Sequence, residues 1–87
     1  MEIKLLEDAD DDLLFWKKGG NIAIQKRITL LLASIQETPY TGIGKPEALK
    51  YDLQGKWSRR ITLEDRLVYE IDEANNLIIV HSLRGHY

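Results

Sequence analysis

Three side chains of this chain would together suffice to cut RNA without a metal. A carboxylate, Glu47, can take the proton of a ribose 2′-OH. An arginine, Arg66, can grip the phosphate bidentately as charge builds on it. A histidine, His86, can return a proton to the departing 5′-oxygen near neutral pH. They stand around a basic segment made of Lys45-Pro46-Glu47-Ala48-Leu49-Lys50 and Trp57-Ser58-Arg59-Arg60-Ile61-Thr62-Leu63-Glu64-Asp65-Arg66-Leu67-Val68-Tyr69, with Gly85-His86-Tyr87 at the end. The net charge is −2, but residues 44–69 carry six Lys or Arg against four Asp or Glu, while residues 1–43 carry five against seven. A polyanion meets local charge first, so the middle of the chain suits one.

Each of these residues also has a plainer reading. Glu47 reads equally as a solvated turn acid. Arg59, Arg60 and Arg66 read as exposed strand arginines paired with Glu64 and Asp65, pairs that contribute roughly 0–1 kcal/mol. Set beside Lys45, Lys50 and Lys56, the same arginines suit phosphate. His86 lies next to the last residue, where chains are commonly poorly ordered. His81 shares the strand parity of Leu77, Ile79 and Leu83 and reads as a packed or hydrogen-bonded sheet histidine. No periodicity brings His81 to His86, so no metal pair is expected. Trp16 reads as core, and Trp57 as core or as a platform for a base. The run Asp10-Asp11-Asp12 reads as the start of a helix rather than a metal site.

The elements that must position these groups follow in order. Residues 2–6 read as a short strand, with Ile3 and Leu5 alternating against Glu2 and Lys4. Asp8 is a candidate N-cap for a helix that ends in Lys17-Lys18 and stops at Gly19-Gly20. Asn21 can cap a second helix, in which Ile24, Ile28, Leu31, Leu32 and Ile35 form one face and Pro39 marks the stop. The two-glycine connection predicts an antiparallel helical hairpin. After a glycine-containing loop, an extended piece at 47–50 precedes three strands at 57–62, 66–71 and 77–83, joined by short turns that imply antiparallel pairing. Leu67, Tyr69 and Ile71 should face the helices, and Arg66, Val68 and Glu70 the open side. The expectation is one α+β domain spanning 1–87, of order β-α-α-β-β-β, with the hairpin on one face of a twisted, mainly antiparallel sheet.

Composition bounds the rest. Without cysteine there are no disulfides or thiolate metal sites, and a cytosolic setting is natural. The apolar run at the N-terminus is too short for a signal peptide, and no run approaches the roughly 20 apolar residues that span a bilayer. Phosphate-binding loops, dinucleotide fingerprints and serine-nucleophile elbows are absent from the sequence.

Taken together, the segments Gly42-Ile43-Gly44-Lys45-Pro46-Glu47-Ala48-Leu49-Lys50, Leu53-Gln54-Gly55-Lys56-Trp57-Ser58-Arg59-Arg60-Ile61-Thr62, Glu64, Arg66-Leu67-Val68-Tyr69 and His86-Tyr87 resemble the YoeB/Txe toxins of the RelE superfamily. The resemblance runs nearly end to end. It implies a RelE-like fold and a ribosome-dependent endoribonuclease that cuts mRNA in the A site of the 70S ribosome. The cut would use the 2′-OH without a metal or other cofactor, leaving a 2′,3′-cyclic phosphate or its opened 3′-phosphate and a 5′-OH. By position, Glu47 matches the general base, His86 the general acid and Arg66 the phosphate-stabilising arginine. Lys50, Glu64 and Tyr87 match supporting residues, and Lys45, Arg59 and Arg60 are assigned to substrate binding. The chain departs from the family at Ile43, at Ala48 and at Gly85, which should leave the His86 backbone freer. A cognate antitoxin, folding onto the toxin, is the implied partner, and a homodimer is allowed. Two other classes stand beside this one: a non-catalytic relative acting on gyrase, like the ParE branch, and a co-repressor binding module.

Overall fold

A computed structural model describes residues 1–85, and its elements are β1 (Glu2–Leu5), α1 (Glu7–Lys18), α2 (Ile22–Glu37), β2 (Glu47–Ala48), β3 (Trp57–Arg60), β4 (Arg66–Asp72) and β5 (Leu77–Ser82). A 3-10 turn at Tyr51–Leu53 lies between β2 and β3. The five strands form one sheet in the order β1-β5-β4-β3-β2. Short turns make β3, β4 and β5 an antiparallel meander, and β2 adds to its β3 edge. β1 joins the other edge parallel to β5, from Glu2↔Leu77 to Leu5↔Val80. The helical hairpin supplies the crossover that a parallel pair requires.

The predicted face of α2 is the one that packs: Ile28, Leu31 and Ile35 are buried, with Ile24 and Leu32 at the margin. They meet Leu67, Tyr69, Ile78 and Val80 from the sheet and Ala9 and Trp16 from α1. Each fully buried Leu or Ile of this set contributes roughly 1.5–3 kcal/mol. Asp8 is not the cap of α1. Leu6 holds that position because its N–H is already bonded to Val80 O at 3.0 Å, so the helix starts directly off the strand. Glu7, Asp8 and Asp10 occupy the first turn and Lys17 and Lys18 the last, matching the helix dipole. Among the described residues no helix is long and apolar enough to cross a membrane.

Alternation in β5 differs from the expectation. Val68 pairs with Ser82 and Tyr69 with Val80, so the register shifts at His81. A bulge of this kind moves later side chains to the opposite face. The inward residues are therefore Ile78, Val80 and Leu83, not Leu77, Ile79 and Leu83. His81 is hydrogen-bonded, as read: its Nε2 lies 2.6 Å from Glu70 Oε1.

The β4–β5 turn carries one pH-dependent feature. Asp72 accepts hydrogen bonds from the Asn75 side-chain amide at 2.9 Å and the Asn75 N–H at 3.2 Å, which hold its carboxyl below the ordinary value. Because the folded-state pKa is lowered, the turn's contribution is present above the unfolded value and is lost as pH falls through the folded one. The amide protection of Asn75 should therefore fall on acidification below about pH 4. In Asp72→Asn this pH dependence should vanish; its persistence would assign the effect to another group.

Candidate active site

The site begins with which way the β3 arginines point. Trp57 and Arg59 turn toward the helices, and Ser58 and Arg60 toward the open face. Arg59 is fully buried, and every N–H of its guanidinium is used. Nε donates to Tyr69 Oη at 3.2 Å, and Nη1 to Ser34 Oγ at 2.7 Å and Ile43 O at 3.1 Å. Nη2 donates to Thr38 O and Thr41 O, both at 2.7 Å. Tyr69 in turn donates to Pro39 O at 2.6 Å. Burial raises the pKa of this phenol, and the neighbouring Arg59 works against that rise.

Arg59 thus gathers the loop that leads from α2 into β2. Two glycines let the loop close down on it. A Cβ at Gly42 would lie 2.5 Å from Ser34 Oγ, and one at Gly44 would lie 2.6 Å from Leu31 Cδ2. Both have positive φ, 113° and 82°. Arg60 N–H then donates to Gly44 O at 2.7 Å, which fixes the entry to Lys45-Pro46-Glu47. Lys45 and Tyr51, on either side of β2, hold left-handed backbones with φ of 52° and 57°. Such non-glycine conformations are uncommon and occur where surrounding structure imposes them.

The open face holds the charged groups. Glu47 pairs with Ser58 across β2–β3, and Arg60 with Arg66 across β3–β4. Arg66 Nη1 donates to the buried Ser58 Oγ at 3.2 Å and stands 3.9 Å from Glu47 Oε1. The Glu47 side chain is 59% exposed, so this ion pair contributes about 0–1 kcal/mol and leaves the carboxylate accessible. Arg60 lies directly opposite Arg66, an arrangement that is unfavourable for like charges unless an anion joins them. Its Nε is buried and finds no hydrogen-bond partner among the described residues. One guanidinium, Arg66, therefore stands beside an accessible carboxylate, with a second, Arg60, opposite it on the neighbouring strand.

The last described residue, Gly85, comes to the same corner. Gly85 N–H donates to Asp65 Oδ1, and Gly85 O accepts from Arg66 N–H, both at 2.8 Å. Its φ is +80°. Gly85 itself is anchored on both sides, in a conformation that favours glycine; the expectation of a freer His86 backbone falls outside the described residues.

Residues 5–87 match the family model of the YoeB-like toxins of bacterial type II toxin–antitoxin systems. The chain belongs to this family. It is 47% identical to a Toxin YoeB from Synechocystis over 100% of this chain and 98% of that one. It superposes on a YoeB/ParE toxin from Agrobacterium tumefaciens with a TM-score of 0.95, 37% identity and full coverage of both chains. A YoeB–YefM complex from Staphylococcus aureus gives a TM-score of 0.88 at 40% identity, covering 100% of this chain and 98% of that one. A YoeB dimer from the same organism gives 0.90 at 39%, with the same coverage.

In this YoeB-like toxin the structure brings Glu47 and Arg66 together, sets Arg60 opposite Arg66, and removes Arg59 from the open face. Arg59 is no substrate ligand, because its donors are consumed inside the protein. Lys45 and Lys50 are exposed at the two ends of β2, on the approach to Glu47. Glu64 is exposed in the β3–β4 turn, its N–H bonded to Thr62 Oγ1 at 3.1 Å. His86 and Tyr87 lie outside the described residues. Trp57 is half-buried against the core and beside Tyr40, with ring centroids 5.0 Å apart, so it is not a platform on the open face. Sequence reasoning missed Ser58, which steers Arg66, and Asp65, which holds Gly85. The one signal for Ser58 was its shared parity with Arg60 in a short strand.

Proposed function

We propose that this YoeB-like toxin is a ribosome-dependent mRNA endoribonuclease acting in the cytoplasm. The observation that carries the reading is Arg66, steered by Ser58, standing 3.9 Å from the accessible Glu47 carboxylate and facing Arg60 across β3–β4. That combination suits a scissile phosphate next to a base. Glu47 takes the 2′-OH proton, and the 2′-oxygen attacks phosphorus. Arg66 and Arg60 balance the growing charge, and His86 protonates the 5′-oxygen as the P–O bond breaks. The products are a 2′,3′-cyclic phosphate and a 5′-OH, and no metal takes part. Anchoring of Gly85, the residue before His86, to Asp65 and Arg66 supports the role of His86. Lys45 and Lys50 attract the RNA backbone, and Glu64 and Tyr87 support the site.

The partners follow from the relatives. The S. aureus protein forms a complex with YefM and also a dimer. This chain is proposed to bind a cognate antitoxin of that kind and to be capable of dimerising. Dependence on the ribosome fits a small protein with few cations, because the ribosome would supply the mRNA geometry.

The test uses ribosomes programmed with a short mRNA and mapping of the 5′ ends. A cut within the A-site codon that is lost in His86→Ala supports the reading. Glu47→Ala should lower the single-turnover rate by at least about 100-fold, the loss expected for a general base. A rate close to wild type would remove Glu47 from the mechanism. Poisoned gyrase with intact mRNA would favour a ParE-like toxin, and toxicity that survives both substitutions would favour a binding role.

A further inference from the structure

The residues just before the end are held by side chains from elsewhere. β5 ends at Ser82, and beyond it no ladder holds the backbone. Leu83 is nonetheless fully buried, and both its backbone polar groups are bonded by α1. Its N–H donates to Asp12 Oδ2 at 3.0 Å, and its carbonyl accepts from Trp16 Nε1 at 2.9 Å. The Arg84 guanidinium lies 3.7 Å from the centre of the Phe15 ring, which also belongs to α1. Gly85 is fastened at N–H and C=O by Asp65 and Arg66. Chain ends are usually loose unless tied down. Here three successive residues, 83–85, are tied.

We infer that Asp12 and Trp16 are positioning residues for the nuclease site: α1 clamps residues 83–85, and through Gly85, whose carbonyl holds the Arg66 N–H, the clamp fixes the backbone from which Arg66 reaches toward Glu47. The inference rests on the nuclease reading above. It gives the acidic start of α1 a specific role. Asp12 is the member of the Asp10-Asp11-Asp12 run that turns inward, and it spends its carboxylate on a backbone N–H rather than on solvent. Trp16 does the same with its one polar atom. The clamp holds each backbone group of Leu83 by a separate bond, so losing one loosens the stem without removing the helix. A misplacement of about 1 Å in a reacting group can cost about 100-fold in rate.

Trp16→Phe keeps the ring and removes the donor, while Asp12→Ala removes the acceptor and Asp12→Asn keeps an amide oxygen that can still accept. Full-length proteins would be assayed on programmed ribosomes at saturation, normalised to the folded fraction from near-UV circular dichroism. Trp16→Phe and Asp12→Ala should lower kcat about 10- to 100-fold with KM within about twofold, and Asp12→Asn should recover most of the rate. Amide protection of Leu83 and Gly85 should fall in the first two variants while that of Leu31 stays. Wild-type kcat per folded molecule in Trp16→Phe, or unchanged protection at Leu83 and Gly85, overturns the clamp and leaves the nuclease reading standing. Should Asp12→Ala unfold, Trp16→Phe alone decides. A wild-type protein that leaves the mRNA intact fails the nuclease reading and takes this inference with it.

Discussion

Arg66→Ala is expected to lower kcat/KM for A-site mRNA cleavage by about 100- to 1000-fold, the range for losing one preorganised charge-stabilising group. The size of the effect follows from what Arg66 is bonded to. Its described side-chain contacts are one bond to Ser58 and one distant carboxylate, so most of its donors remain for a ligand. Ser58 is fully buried, and its bond costs the arginine little reach while fixing its direction. Arg66→Lys should recover little, because an ammonium replaces a planar fork with a point charge. Folding should lose only about 1–3 kcal/mol, the cost of leaving the buried Ser58 hydroxyl without its charged donor. A variant within fivefold of wild type would shift the charge-balancing role to Arg60, the guanidinium on the facing strand. Urea denaturation of the same preparation separates the two readouts.

What the sequence disclosed depended on how local the signal was. The apolar stripe of α2 is a pattern within one element, and every residue read into it packs against the sheet or the core margin. The meander of β3, β4 and β5 was legible from short turns. Pairing of β1 with β5 was not, because a parallel pair between distant segments leaves no turn between them. Nor was the bulge at His81, which has neither Gly nor Pro to mark it. For the site, Glu47 and Arg66 were identified by chemistry, but their meeting depends on the registers of β2 with β3 and of β3 with β4. Arg59 and Arg60 are the sharpest case. Adjacent in sequence, they point to opposite faces, and one becomes scaffold while the other faces Arg66. Both parities of β3 carry an arginine, so charge could not say which was which. The alternation of Trp57, Arg59 and Ile61 was the available clue.

Arg59 carries the second large effect, on stability rather than chemistry. Arg59→Lys should destabilise the protein by about 2–4 kcal/mol, because three ammonium donors cannot serve five acceptors and each buried acceptor left unmet costs about 1–3 kcal/mol. Arg59→Ala should cost more, about 3–5 kcal/mol, the size seen when one partner of a buried polar network is removed. Replacing a buried charge by an apolar group is often harmless when its partners are replaced too. Here four of the five acceptors are three backbone carbonyls of the α2–β2 connection and the Ser34 hydroxyl of α2, and the three carbonyls cannot be mutated away. For a domain of this size about 1 kcal/mol shifts Tm by about 4–8 °C, so Arg59→Lys should melt at least about 8 °C below wild type. The loop 41–44 should loosen first, since Ile43, Thr41 and Thr38 all lose a donor. Cleavage should fall with it, because the same loop delivers Glu47, and added salt should not rescue the loss as it would for a surface pair. A lysine variant that melts with wild type would mean that the guanidinium merely fills space, and that the loop is set by its glycines and by Tyr69 bonded to Pro39.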